Sequence, residues 1–264
     1  MKKINKQRQL SLPQNNPKGD MENNQNNRNM PEDYSGSYAP SLTEGRYDKS
    51  EALLLAPSEK LSEEWINAIR KMNAGRPPFK TYSKRVREMF NLEKPTINTD
   101  TCYFLAGFIE GEGSISISAK KNPNAKFGVE LDPVFNITQH VQGVKHLYLA
   151  LEMFQTGRIR FKAGSTATLV FIIEPRLSLQ EQVCPFYEKY IIPFSCIAKQ
   201  NKFQSFKKML HLFDEKAHLD RNRFVNELLP IWHSMRIQIG NKKRDITFNS
   251  LEEAQEYVSN YTKI

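Results

Sequence analysis

An α+β fold, with helices packed on one face of an antiparallel sheet, is what this sequence predicts. Three observations carry the expectation. The middle of the chain holds two stretches of period-two alternation. Helical periodicity precedes, separates and follows them. The resulting order is helix, strand, strand, helix, strand, strand, helix.

Taken in order, residues 1–56 are rich in Asn, Gln, Ser, Pro and charge, as in Asn23-Asn24-Gln25-Asn26-Asn27, and are predicted to be disordered because they carry too little apolar surface to offset chain ordering. The remaining residues, 57–264, are expected to form one domain: a helical arm over 57–97, a core over 98–213 and C-terminal helices over 214–264. In the arm, Ser62, Glu63 and Glu64 open a helix holding Trp65, Ile66 and Ile69, with its acids at the favourable end of the helix dipole. Gly75 to Pro78 break it, a basic helix runs through Tyr82 to Phe90, and Pro95 closes that segment.

The core opens on a helix capped by Thr99 or Asp100 and containing Cys102, Tyr103, Leu105, Phe108 and Ile109. Two strands follow. In one, Ile115 and Ile117 alternate with Ser114, Ser116, Ser118 and Lys120; in the other, Phe127, Val129, Leu131, Phe135 and Ile137 alternate with Glu130, Asp132, Asn136 and Thr138. A helix over residues 144–154 leads to strands over 157–162 and 167–174, joined by Ala163-Gly164-Ser165, and then to a helix over 179–190. Residues 199–263 read as mostly helical, with Phe203, Phe206, Leu210 and Phe213 on one stripe.

Composition bounds the function. A hydrophobic fraction of 39% is enough for a packed core, and a formal charge of +9 suits a polyanionic partner. No stretch approaches the roughly twenty apolar residues that span a bilayer, so no membrane is expected. The N-terminus is basic but is followed by no apolar run, which argues against a secretory signal. Cys102, Cys184 and Cys196 show neither CxxC pairing nor metal-ligand spacing with histidine, which argues against a disulfide framework or a structural zinc site.

The segment that carries chemistry is Leu105-Ala106-Gly107-Phe108-Ile109-Glu110-Gly111-Glu112-Gly113-Ser114, a helix that ends in carboxylates. Gly107 and Gly111, four apart, share one face and permit close approach of a second helix. Two such helices side by side would bring two Glu112 carboxylates together, and paired acidic oxygens bind hard cations such as Mg²⁺. From chemistry alone a second reading stays open, in which Glu110 and Glu112 are solvated turn residues and the glycines serve the turn. As a phosphate cradle the segment fails, because no Gly-Lys-Ser/Thr follows.

These ten residues resemble the LAGLIDADG motif, with Glu in place of both aspartates. The resemblance extends from about Pro57 to the C-terminus, to the single-motif homing endonucleases encoded in group I introns of green-algal chloroplast ribosomal RNA genes. It is carried also by residues 104–118, Phe135-Asn136-Ile137-Thr138-Gln139-His140, and residues 143–152, 156–160, 185–188 and 229–232. What the resemblance implies is an αββαββα fold with a saddle-shaped antiparallel sheet and additional helices at both ends. It also implies a metal-dependent DNA endonuclease cutting both strands at a long pseudo-palindromic site, promoting group I intron mobility, with Mg²⁺ as cofactor and a chloroplast location. Residue by residue, the motif's last acid, the family's metal ligand, is Glu112 here, whereas Glu110 is expected to be structural. Gln139 matches the polar residue that orients water around the attacking hydroxide. Lys199 and Lys202 fall where the family supplies a basic residue, and Gly143 stands where a related enzyme has Arg.

The family's DNA platform is the open face of the sheet. Residues 113–172 hold seven Lys or Arg against three acids, a balance that favours a duplex on this face. Ser116, Ser118 and Lys120 share a face on one strand, and Arg158, Arg160 and Lys162 do so on another, spaced to read base edges in a major groove. Glu130, Asp132, Asn136 and Thr168 complete the expected DNA-facing set, while Lys121 and Lys126 in the hairpin are expected on phosphates. For any one of these residues an ordinary solvated sheet face is the competing reading. One motif copy supplies one Glu112, so cutting two strands implies a homodimer joined through Gly107 and Gly111. The rival functions are an intron-RNA splicing factor on the same fold and a DNA-binding regulator without nuclease activity.

Overall fold

The computed structural model describes residues 59–236 and 247–262. The disordered extension expected over residues 1–56 lies outside them. In the helical arm, α1 spans Glu63–Asn73 and α2 spans Phe79–Met89. The motif helix α3, Thr99–Glu112, runs directly into β1, Gly113–Lys121, which is followed by β2, Val129–His140. Next come α4, Val144–Phe154, and the strands β3, Arg158–Phe161, and β4, Thr168–Ile173. The chain closes with α5 over residues 176–191, α6 at Ile197–Asp214, α7 over residues 221–236 and α8 at Leu251–Asn260.

The four strands form one antiparallel sheet in the order β1-β2-β4-β3, so the two hairpins meet along β2 and β4. Register follows the side-chain alternation. Gly113 pairs with Ile137, Lys120 with Glu130, Thr138 with Val170, and Arg160 with Val170 on the other side. Ile115, Ile117, Leu131, Phe135, Ile137, Ile159, Leu169 and Phe171 are therefore buried on one face, and the intervening residues form the other. Pro133 sits in β2 before the pairing with β4 begins at Phe135, where its missing N–H interrupts no ladder on that side.

Aromatic rings hold the helices to the buried face. Phe135 of β2 meets Phe154 of α4, Phe171 of β4 and Tyr187 of α5 edge to face, with centroids 5.5, 6.3 and 5.9 Å apart, and Tyr187 stacks on Phe203 of α6. Such edge-on rings contribute about 0.5–1.5 kcal/mol each beyond the burial of their area.

The arm covers the open edge of β3. Ile159 donates its N–H to the Tyr82 hydroxyl at 2.7 Å, and its carbonyl accepts from that hydroxyl and from Asn73 Nδ2 at 3.2 and 2.9 Å. An edge strand otherwise presents unpaired groups to any passing chain. Burial pushes the Tyr82 phenol up to about 12.

Two features depart from the sequence-based expectation. The motif helix is capped by Asn98, not Thr99 or Asp100: Asn98 Oδ1 accepts from Thr101 N and Thr101 Oγ1 accepts from Asn98 N, both at 2.9 Å. The helix expected over 179–190 is longer and irregular. Wide turns closed by i→i−5 bonds, Cys184 N to Leu179 O and Ile192 N to Tyr187 O, come just before Pro185 and Pro193. A third, Leu229 N to Phe224 O, precedes Pro230. Each proline lacks a donor, and its ring crowds the carbonyl four residues earlier; widening the preceding turn relieves both problems without ending the helix.

Candidate functional site

The motif helix presents two unlike faces. Cys102, Leu105, Ala106 and Ile109 are buried against the sheet side, while Tyr103, Phe104, Gly107 and Gly111 are exposed on the other. A Cβ added at Gly107 or Gly111 would meet nothing within 4 Å, so nothing among the described residues requires glycine at either position. Gly113 is different. A Cβ there would lie 2.6 Å from both the Ile109 side chain and its carbonyl, so only glycine lets the helix turn directly into β1. That corner fixes where Glu112 projects.

Glu110 and Glu112 both sit in the last turn of α3, which contains no basic residue, where the helix dipole disfavours carboxylates. The chain compensates one of them. Lys199, from the first turn of α6, donates to the Glu110 carbonyl at 2.6 Å and pairs with Glu110 Oε2 at 2.9 Å, and Ser195 Oγ donates to the same carboxylate at 2.9 Å. Lys199 thus satisfies an otherwise orphaned carbonyl at the helix end. Glu112 is exposed and has no hydrogen-bond or ion-pair partner among the described residues.

Beside this end lies a cleft of about 630 Å³ lined by Glu110, Gly111, Gly113, Ser114, Lys199 and Lys202. Burial, and then the neighbouring Lys199 charge, hold the Lys202 ammonium below its usual value. The two lysines offered by the sequence therefore differ: Lys199 is committed to Glu110, whereas Lys202 faces the cleft and has no hydrogen-bond or ion-pair partner among the described residues. Gln139 is two residues beyond Ile137, the partner of Gly113, which brings it to the same end of the sheet as Glu112. Its Oε1 accepts from His140 N at 2.7 Å, and its side chain lies over Gly143, where an added Cβ would come within 2.5 Å of Gln139 Cγ. Among the described residues no group of three or more His, Cys, Asp or Glu is placed to hold a metal.

On the open sheet face the structure brings together Ser116, Ser118, Lys120, Glu130, Asp132, Asn136, Arg160 and Thr168, with Lys162 continuing the Arg160 row opposite Thr168. Three expected members lie elsewhere. Arg158 turns to the sheet edge, where its guanidinium stacks on Tyr82 and donates to the Pro77 and Gly157 carbonyls. Lys121 falls on the opposite face, its ammonium 4.9 and 5.0 Å from the Phe248 and Tyr257 ring centres. Lys126 donates to the Leu219 carbonyl at 2.8 Å. Both hairpin lysines anchor C-terminal segments rather than standing free for phosphates. Sequence reasoning missed Glu174, which pairs with Arg160; the signal was the β4 alternation carried two residues past Ile172.

A four-stranded platform whose open face mixes cations, hydroxyls and carboxylates, and whose leading helix ends in an acid with no partner among the described residues, fits a nucleic-acid-cleaving class. The LAGLIDADG endonuclease family model matches residues 105–210. DNA endonuclease I-CeuI of Chlamydomonas moewusii is 46% identical over 213 residues, which are 80% of this chain and 97% of that protein. The structure of group I intron-encoded homing endonuclease I-CeuI complexed with DNA superposes with a TM-score of 0.73 at 45% identity, covering 77% of this chain and 99% of that one. Archaeal intron-encoded homing endonuclease I-Vdi141I, also complexed with DNA, gives 0.51 at 30% identity, over 61% of this chain and 94% of that one. The chain belongs to the LAGLIDADG endonuclease family.

Proposed function

We propose that this protein hydrolyses both strands of a long, roughly palindromic DNA site as a two-fold dimer, using Mg²⁺ held by Glu112, and so promotes mobility of a group I intron. Family membership makes it a DNA homing endonuclease, a phosphodiester hydrolase. The observation that carries the reading is the exposed Glu112 carboxylate, without a partner among the described residues, at the end of a helix whose glycine face is also open.

The donor set fits the cation. Mg²⁺ is held by one or two carboxylates together with phosphate oxygens and water, and a closed cage of three protein acids is not needed. When bound, it supplies charge stabilisation at the phosphoryl oxygens and a more acidic water. The other steps belong to this chain. Gln139 orients the water that attacks the phosphorus. Lys202, half-buried and paired with no carboxylate among the described residues, offers positive charge toward the developing oxyanion. Lys199 holds the end of the motif helix in place through Glu110.

Exposed Tyr103 and Phe104, with Gly107 and Gly111, form the face on which a second copy packs, bringing one Glu112 to each scissile strand. An intron-RNA splicing role is not favoured, because the similar proteins named above are DNA endonucleases or stand complexed with DNA. A chloroplast location, with the gene carried by the organelle, accords with the Chlamydomonas relative.

The test is Glu112→Gln, which keeps the shape and removes the charge. Duplex binding should stay within about threefold of wild type while cleavage in Mg²⁺ disappears. Comparable cleavage by mutant and wild type at saturating Mg²⁺ would sink the assignment.

A further inference from the structure

Among the described residues the open face of the sheet is nearly neutral, an odd property for a surface meant for a polyanion in a chain of charge +9. With Arg158 turned to the edge, its remaining cations are Lys120, Arg160 and Lys162, and they share the face with Glu130, Asp132 and Glu174. Two of those cations are tied to a carboxylate on, or just past, the neighbouring strand. Lys120 Nζ donates to Asp132 Oδ2 at 2.8 Å between β1 and β2. Arg160 of β3 grips Glu174, the residue just past β4, with both terminal nitrogens, Nη1 to Oε1 at 3.3 Å and Nη2 to Oε2 at 3.0 Å.

Stability does not account for the second pair. Its side chains are 47% and 54% exposed, and exposed pairs of this kind add little to stability. Nor does affinity, since a carboxylate on this surface repels the phosphate backbone and weakens binding to every duplex alike. What the pair does supply is orientation. With its end-on edge held by Glu174, the Arg160 guanidinium keeps its Nε–Nη edge for a guanine O6 and N7, and the carboxylate can accept from a cytosine amino group. Where a base presents an acceptor or a methyl group instead, the carboxylate meets an uncompensated cost.

We propose that Glu174 is a specificity-determining residue: paired with Arg160 of β3 from just past the end of β4, it makes that arginine's base contact conditional on a cytosine amino donor beside it. The carboxylate rejects wrong sequences while Arg160 rewards the right one. The proposal rests on the DNA-cleaving function argued above and concerns only how its sheet reads sequence.

The experiment begins with the wild-type protein and a randomised duplex library, whose selected consensus defines a panel of single-base-pair variants. Dissociation constants over that panel, at several salt concentrations, are then compared for wild type, Arg160→Ala, Glu174→Ala, Glu174→Gln and the Arg160→Ala/Glu174→Ala double variant. Glu174→Ala should bind non-target duplex several-fold more tightly and lose about tenfold discrimination at one base pair of each half-site. The same base pair should respond to Arg160→Ala, and the double variant should lose no more than the single ones. Glu174→Gln, which keeps an acceptor for Arg160 without the charge, should also lose discrimination. Melting temperatures should stay together throughout. Undiminished discrimination in either Glu174 variant, or a uniform change over the whole panel, would overturn the proposal. If wild type selects no sequence from the library, the function itself fails, not only the role of Glu174.

Discussion

Lys199→Met separates a structural lysine from a catalytic one. The substitution keeps the aliphatic stem and removes the ammonium that donates to the Glu110 carbonyl and pairs with its carboxylate. A buried charge-assisted bond is worth about 1.5–3 kcal/mol. Glu110 is 38% exposed and Lys199 22%, so solvent screening takes about half of that. Ser195 still donates to Glu110, but the helix end regains an uncompensated acid and an orphan carbonyl, adding about 0.3–1 kcal/mol. The net cost is about 1–2.5 kcal/mol, which for a domain of this size lowers the melting temperature by about 2–10 °C. Differential scanning calorimetry reads the shift, and single-turnover cleavage below the transition reads the chemistry, which should survive within about tenfold. Lys202→Met should do the opposite, leaving stability nearly unchanged and slowing cleavage by a factor of about 100 or more. A Lys199→Met protein that melts like wild type yet does not cut would refute the division of labour between the two lysines.

Three further outcomes follow from the same geometry. Gly107→Leu meets open space among the described residues and should leave the monomer folded by circular dichroism while abolishing the dimer in sedimentation equilibrium; a dimeric Gly107→Leu protein would remove the motif helices from the interface. Gly143→Ala places a methyl group within 2.5 Å of Gln139 Cγ, and should lower the cleavage rate more than duplex binding, whereas an unaltered rate would place Gln139 outside the reaction. Burial lowers the imidazole values of His146 and His218 below the ordinary 6.5, so the unfolded chain takes up protons there that the folded one refuses. Stability should therefore begin to fall as pH drops through 6.5, above the range where the lowered carboxylates Glu215 and Glu227 add their loss below 4.5, and His146→Phe should reduce the first decline. A melting temperature flat from pH 7.5 to 5.5 would contradict the assignment.

The sequence alone determined whatever depends on local period and on backbone chemistry. Alternation in Ser114 to Lys120 and in Val129 to Thr138 placed the sheet's two faces, and the helix over Val144–Phe154 was legible to the residue. These features follow from side-chain direction along a strand or helix, which needs no knowledge of neighbours. The carboxylates at the end of the motif helix were legible from the residue order of Leu105 to Ser114, whereas the corner that only Gly113 permits, with an added Cβ 2.6 Å from Ile109, came from the structure.

Only the tertiary structure decided what the long cations hold. By spacing, Arg158 belongs with Arg160, yet the arm brings Tyr82 and the Pro77 carbonyl to its guanidinium. Lys121 and Lys126 look like free hairpin charges until Phe248, Tyr257 and the Leu219 carbonyl arrive from more than ninety residues away. Lys199 and Lys202 sit three apart on one helix, and the approach of Glu110 commits the first and leaves the second facing the cleft. A flexible arm of four or more bonds takes whichever partner the fold sets within its reach, and that choice is a property of distant segments meeting rather than of the residue's own place in the chain.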